Sequence, residues 1–253
     1  MTLGQNLNGR RAIVTGGTGG LGRAIAEKLA AHGAAVTIID LAQAFQAPLP
    51  AGWQGVPADL GAPDCQTTLR ELADQIGVVD IVIANAGVVP PWRGLAELDG
   101  AEWQRVMAIN VWGVAATLGA FAPALARSGH GAAVVMASIN GYKAHAKQAL
   151  YTASKHAVIG VMRAAALDIG AAGTRVNALA PGPIATPALL ARMAARHKAG
   201  GPSPEAALAA MAADTALGAL ATMEQVANAA LFLASDASAG MTGLVIPVEG
   251  GLG

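Results

Sequence analysis

The chain has 253 residues, of which 54% are hydrophobic and 13% charged, and its sixteen basic and sixteen acidic residues cancel. The length allows one large α/β domain or two small ones, and the charged share is about half the usual quarter. This composition excludes a disordered chain, and zero net charge offers no electrostatic footprint for nucleic acid or an anionic membrane.

From the N-terminus, RAIVT (11–15) reads as a strand, 21–32 as a helix and AVTIID (35–40) as a second strand. GVPAD (55–59), a helix over 64–76, DIVIAN (80–85) and a helix over 101–127 follow. AVVMAS (133–138), a helix over 149–172, RVNALAP (175–181), a helix over 223–235 and LVIPV (244–248) complete the alternation. The last helix opens on Thr222 with Gln225 three residues later, a capping box. Strands that are continuous apolar runs, interleaved with helices, predict a doubly wound parallel α/β sheet of about seven strands with helices on both faces.

No linker or repeat divides the chain, so residues 1–253 are expected to form a single domain. Segment 183–221 breaks the alternation: it opens with PIATP, is rich in Ala and Met, and is interrupted by AGGPSPE. An insertion after a strand's carboxyl end lies over the ligand crevice of such a sheet, so this segment is expected to be a helical substrate lid.

Residues 106–126 carry no charge, and a membrane helix needs about 20 predominantly apolar residues. The stretch is rich in alanine and contains Asn110, Gly113, Gly119 and Pro123, which predicts a buried helix in a soluble protein. The single Cys65 excludes an internal disulfide and suits a reducing cytosol. Arg10 and Arg11 precede only AIVT before glycines begin, unlike a signal peptide, so a cytoplasmic location is expected. The histidines at 32, 130, 145, 156 and 197 have no metal-ligand spacing, and no metal is expected.

The run TGGTGGLG (15–22) joins the first strand to the first helix. Gly17, Gly19 and Gly22 fit one dinucleotide spacing, and Gly16, Gly20 and Gly22 fit another, with Thr18 and Leu21 completing the loop. Glycines alone also describe a flexible turn. The strand–turn–helix setting favours a pyrophosphate held on backbone N–H groups and a helix N-terminus. Asp40 ends the second strand and is followed by Leu41, with no Lys or Arg through residue 50. A carboxylate there accepts bonds from both ribose hydroxyls and repels a 2′-phosphate, so NAD is the expected cofactor.

Near the middle, YTASK puts Tyr151 and Lys155 on one helical face. Alone that pair also describes a solvated face. The glycine loop, Asn110, and Ser138 thirteen residues before Tyr151 turn the reading to chemistry. A base for alcohol oxidation must be poised near working pH, and bringing tyrosine from about 10 to about 7 takes roughly 4 kcal/mol. One close cation in a partly desolvated site, here expected to be Lys155, supplies much of that.

These residues resemble the short-chain dehydrogenases/reductases over essentially the whole chain. The matching motifs are TGGTGGLG, ADL (58–60), ANAG (84–87), INVWG (109–113), Ser138, YTASK, APGPIATP (180–187) and MTGLVIPVEGG (241–251). Two departures are Ala84 where the family has Asn, and Glu249 in the terminal Asp-Gly-Gly position. The resemblance implies a Rossmann-type fold and a homotetramer whose helices over 106–126 and 149–172 pair across a two-fold axis. It implies that Asp59 and Leu60 flank the adenine and that Asn85, Ala86 and Gly87 run beneath a ribose. Ile184 and Thr186 would fix the carboxamide, beside a strand end shaped by Pro181 and Gly182. Asn110, Ser138, Tyr151 and Lys155 would be the catalytic set. In it Ser138 holds the substrate oxygen, Lys155 also bonds the nicotinamide ribose, and the Asn110 carbonyl relays protons through water.

The substrate pocket is expected between loops 88–94 and 139–150 and the lid, with Trp92, Ser138, Asn140, His145, Gln148 and Tyr151 as candidate contacts. Lys143, His145, Lys147, Arg192, Arg196, His197 and Lys198 form either a basic rim for an anionic substrate or a set of solvated charges. Trp92 and Tyr142 are either an apolar wall or ordinary packing. The leading function is NAD-dependent interconversion of a secondary alcohol and a ketone. The alternatives are a dihydrodiol or anionic hydroxy-acid dehydrogenase, and a non-catalytic nucleotide-sensing protein.

Overall fold

Strand β1 (Arg11–Thr15) buries Ala12, Ile13, Val14 and Thr15 in succession, as a strand covered on both faces must. In a computed structural model that describes residues 4–252, it is joined by β2 (Ala35–Asp40), β3 (Gln54–Pro57), β4 (Ile81–Ala84), β5 (Ala132–Met136), β6 (Arg175–Pro181) and β7 (Val245–Val248). All pair in parallel in the order β3-β2-β1-β4-β5-β6-β7. Ile13 lies between Thr37 of β2 and Val82 of β4. The winding reverses between β1 and β4, which opens a crevice beyond their carboxyl ends.

Alternate strand residues feed two cores. Ile13, Ile39 and Val82 face one side with Phe121, Leu125 and Met162; Val14, Ile38 and Ile83 face the other with Ile25, Leu29 and Leu231. The first core is covered by α2 (Cys65–Ile76), α4 (Gly113–Ala126) and α5 (Ala149–Asp168). The second is covered by α1 (Gly20–Ala31) and α8 (Met223–Ala234). The capping box at Thr222 is present, with bonds of 2.9 and 3.1 Å between Thr222 and Gln225.

Two helix expectations need correction. The helix expected over 101–127 is α3 (Gly100–Met107) and α4, separated by a π turn over Ala108–Trp112. Such turns insert one residue into the helical ladder and commonly mark functional sites. Gly100–Ala126 is long and apolar enough to cross a membrane, yet α4 within it buries Phe121, Ala124 and Leu125 in the first core. The helix expected over 149–172 ends at Asp168, passes through a 3₁₀ turn over Gly170–Ala172, and stops at Gly173 with φ of 79°.

The lid segment folds as α6 (Pro187–Lys198) and α7 (Pro204–Ala213). Thr186 and Ser203 cap them, each followed by a proline in the first turn, where its missing N–H costs nothing. The chain leaving α7 is tied to the C-terminal tail, with Ala216 N donating to Gly251 O at 2.9 Å and Leu217 N to Gly250 O at 3.0 Å.

Candidate active site

At the crevice the chain turns from β1 into α1 through the glycine loop. Gly16 has φ of 64°, and a Cβ there would lie 2.9 Å from the Ala86 Cα. Gly20 has φ of 55°, and a Cβ on Gly22 would lie 2.1 Å from Gly16 O. The Gly16, Gly20 and Gly22 spacing is therefore the one the loop depends on, although Gly17 also presses against Ile38. Thr15 Oγ1 accepts from the backbone N–H groups of Asn85 (3.0 Å) and Ala86 (3.1 Å). Asn85 Nδ2 donates to Thr15 O and Gly16 O, both at 3.0 Å, which latches β4 to the loop.

By contrast, a Cβ at Gly19 or Gly20 would meet nothing, and both residues line the cleft. Gly19 caps α1 without a side-chain acceptor, which leaves the first helical N–H groups without a cap from this residue. Leu21 and Gly22 line the same cleft. These residues fit a pyrophosphate.

Asp40 lies beside this loop, outside the cleft itself. Its Oδ2 accepts from Thr18 N (3.1 Å) and Thr18 Oγ1 (2.6 Å), and its Oδ1 from Leu41 N (2.9 Å). Asp59 is exposed and accepts from Gly61 N, but the Leu60 side chain is buried in the first core. Its side chain therefore anchors this loop to the first core, leaving the backbone of Leu60 as the part able to flank the adenine.

The opposite wall carries Ser138, Tyr151 and Lys155. Ser138 follows β5 in extended backbone, and its Oγ accepts from Asn140 N at 3.2 Å. Tyr151 lies in the first turn of α5 and Lys155 one turn on. Lys155 Nζ donates to Met136 O at 2.7 Å, and burial depresses its pKa to about 8. Burial pushes the Tyr151 phenol up, while the hydrogen bond from Ser138 and the positive charge of Arg192 pull it down. The Lys155 ammonium is also turned toward the β5 carbonyl that it bonds. It sits 5.8 Å from the Tyr151 ring centroid.

Asn110 occupies the π turn and is fully buried. Its Nδ2 donates to Val88 O (2.9 Å) and Ser154 Oγ (3.2 Å), and its Oδ1 accepts from Val88 N (2.7 Å). A Cβ on Gly87 would lie 3.2 Å from Asn110 Oδ1 and 3.8 Å from Lys155 Nζ, so this position has little room for a side chain.

The cleft, about 660 Å³, also takes in Asn85, Ala86, Gly87, Pro181, Gly182, Ile184, Thr186, Trp92, Asn140, His145 and Gln148. Asn140 Nδ2 donates to Gln148 Oε1 (3.0 Å) and Thr152 Oγ1 (3.2 Å), so it braces the wall as well as lining it. Tyr142 is absent from the cleft lining and 40% exposed, which corrects its candidacy as an apolar wall.

The basic rim divides. Lys143 Nζ donates to Leu252 O at 2.6 Å, Arg196 lies 4.9 Å over the Trp92 ring, and His197 bonds Gly201 O. Lys147 and Lys198 are exposed, while Arg192 and His145 line the cleft. Sequence reasoning missed Met211, Asp214 and Leu252, which also line it. These come from the lid and the C-terminal tail, and no local motif marks them.

The family model described as Enoyl-(Acyl carrier protein) reductase matches residues 16–253. The cis-4-hydroxycyclohexanecarboxylate dehydrogenase of Sinomonas cyclohexanicum is 38% identical, with 98% of each chain covered. The 3-oxoacyl-[acyl-carrier-protein] reductase of Escherichia coli is 32% identical over 98% of this chain and 99% of its own. The carveol dehydrogenase of Mycobacterium avium, whose structure holds NAD, superposes with a TM-score of 0.85 at 30% identity and 98% coverage of each chain. The chain belongs to the short-chain dehydrogenase/reductase family, oxidoreductases that interconvert alcohols and ketones with a nicotinamide dinucleotide.

Proposed function

We propose that the protein oxidises a compact cyclic secondary alcohol to its ketone, or the reverse, with NAD as cofactor and Tyr151 as the group that takes or gives the proton. The observation that carries this reading is that Ser138, Tyr151 and Lys155 line the same cleft as the open N-terminus of α1. Gly16, Gly19 and Gly20 with the first N–H groups of α1 would hold the pyrophosphate, and Asp40 the adenine ribose. Asp40 would repel a 2′-phosphate, and Arg23, one turn along, is already engaged by Glu27 (2.7 Å) and Trp53 (5.0 Å). That favours NAD over NADP.

Bound oxidised nicotinamide would accept the hydride and add positive charge to the site. In alcohol oxidation Tyr151 takes the hydroxyl proton as phenolate, and Ser138 donates to the same substrate oxygen and holds it against the phenol. Burial raises the Tyr151 phenol overall, and Ser138 and Arg192 offset part of that rise, leaving the positive charge of the bound cofactor to bring it further down. The Asn110 side chain is consumed by Val88 and Ser154, which suits a role for its carbonyl in relaying protons from Lys155.

The ring in the name of the Sinomonas relative and the apolar lining at Val88, Val89, Leu189 and Met211 support a compact cyclic substrate. A hydroxy acid is a second reading, favoured by Arg192 in the cleft. A homotetramer in the cytoplasm fits the exposed Trp112 beside α4 and the 82% exposed Leu167 on α5. A monomer mass by light scattering at micromolar concentration counts against the assembly. The function itself is tested by following NADH absorbance while a panel of secondary alcohols is added to protein and NAD. Turnover of cyclic alcohols supports the reading, and no turnover across the panel refutes it.

A further inference from the structure

Helix α6 hangs over the cleft by Leu189 and Met193, both buried. Arg192 lies three residues past Leu189 and one before Met193, so the packing that seats the helix also carries this side chain inward. Its Nε is buried without a hydrogen-bond partner. Three buried side-chain nitrogens or oxygens are in that condition among the described residues, and of these only Arg192 belongs to a residue lining the cleft. No ion pair joins it to a described residue, and Asp214, an acid that also lines the cleft, is not its partner. Buried charged donors are normally paired, because stripping them of water without a partner is costly.

The other long cations of the rim have work elsewhere or point to solvent. Lys143 holds the C-terminal tail, and Arg196 stacks on Trp92. Arg192 alone among the lysines and arginines of the rim reaches the cleft as an unpaired guanidinium, facing the wall that carries Ser138 and Tyr151. A guanidinium presents a planar fork of donors that a carboxylate matches with two parallel bonds.

We infer that Arg192 anchors a carboxylate on the substrate, so that the reacting pair is a hydroxy acid and its oxo acid. This deepens the proposed function and rests on it: the hydride leaves the carbinol carbon for NAD, the hydroxyl proton goes to Tyr151, and the carboxylate is unchanged. The anchor fixes which end of the substrate points toward the lid, and thereby which face of the carbinol carbon meets the cofactor. Electrostatics agree, since the Arg192 charge is felt at the Tyr151 phenol and the two groups therefore share one chamber.

The test is calorimetric titration of the protein with NADH present, using cyclohexanecarboxylate and cyclohexanecarboxamide, which differ in charge but hardly in shape. The wild type binds the carboxylate at least about tenfold more tightly than the amide. In Arg192→Gln that preference falls below about threefold, and Arg192→Lys, which keeps the charge but not the fork, lies between. Retained NADH affinity shows that each variant is folded, and the lysine variant keeps the test decisive if the glutamine variant is not. A wild type indifferent to the charge, or a preference that survives in Arg192→Gln, overturns the inference. An Arg192-dependent preference in a protein that oxidises no hydroxy acid upholds the anchor and refutes the redox role of the site instead.

Discussion

Adding one methyl group at Gly22 should separate the two duties of the glycine loop. The alanine Cβ would fall 2.1 Å from Gly16 O and 2.5 Å from Asn85 Nδ2, and neither can retreat freely. Gly16 O is backbone at a left-handed residue, and Asn85 Nδ2 holds two bonds of 3.0 Å to the loop. Overpacking of this kind costs about 1–3 kcal/mol, and each bond lost adds about 1. Against this, alanine in a helix gains about 1 kcal/mol over glycine. The net is a loss of roughly 2–4 kcal/mol, or about 4–16 °C in Tm for a chain of this size. Gly19→Ala has open space at its Cβ and ordinary φ, so its stability should match wild type while NAD affinity falls, because the methyl enters the cleft. Differential scanning calorimetry at fixed protein concentration, with NAD titrations on both variants, reads the two effects separately. A Gly22→Ala protein as stable as wild type, or a Gly19→Ala protein with undiminished NAD affinity, would refute this account of the loop.

Two further outcomes follow from buried or pinned charges. Wild type should favour NAD over NADP by at least about tenfold in kcat/KM, and Asp40→Ala should narrow the gap; equal kinetics in the unaltered protein would sink the assignment. Lys155 has its pKa lowered from 10.5 to about 8 by burial, so between those values the unfolded chain binds more protons and stability rises with pH. Below about pH 8 the buried charge is a liability, and Lys155→Met should therefore stabilise the protein by roughly 1–3 kcal/mol at pH 7 while losing turnover. Urea denaturation from pH 7 to 10.5 checks the sign, and a Lys155→Met protein less stable than wild type at pH 7 contradicts it.

Much of the fold was legible because a parallel sheet writes itself plainly. Strands β1, β2 and β6 begin and end where the apolar runs RAIVT, AVTIID and RVNALAP do. The π turn was not legible, because AINVW (108–112) suits a regular helix as well as a π turn and the added residue leaves no local mark. Ser138, Tyr151 and Lys155 could be paired from spacing, yet the direction of the Lys155 ammonium depends on the Met136 carbonyl across the sheet. For Leu60 the motif was readable, but the burial of its side chain was not. The cations of the rim looked equivalent in sequence, and only packing separates Arg192 from Lys143 and Arg196. Ser154, whose hydroxyl accepts from Asn110 and donates to Tyr151 O, carried no signal beyond being a small polar residue in a helix.

The most direct test of the central claim is Tyr151→Phe, which keeps the ring and removes the phenol oxygen proposed to take the proton. Steady-state turnover of an oxidised alcohol should fall at least about 10²-fold, the lower end of general acid–base catalysis, while NAD affinity by calorimetry stays close to wild type. A variant that binds NAD normally and retains more than about a tenth of wild-type turnover would show that the proton goes elsewhere and contradict the account.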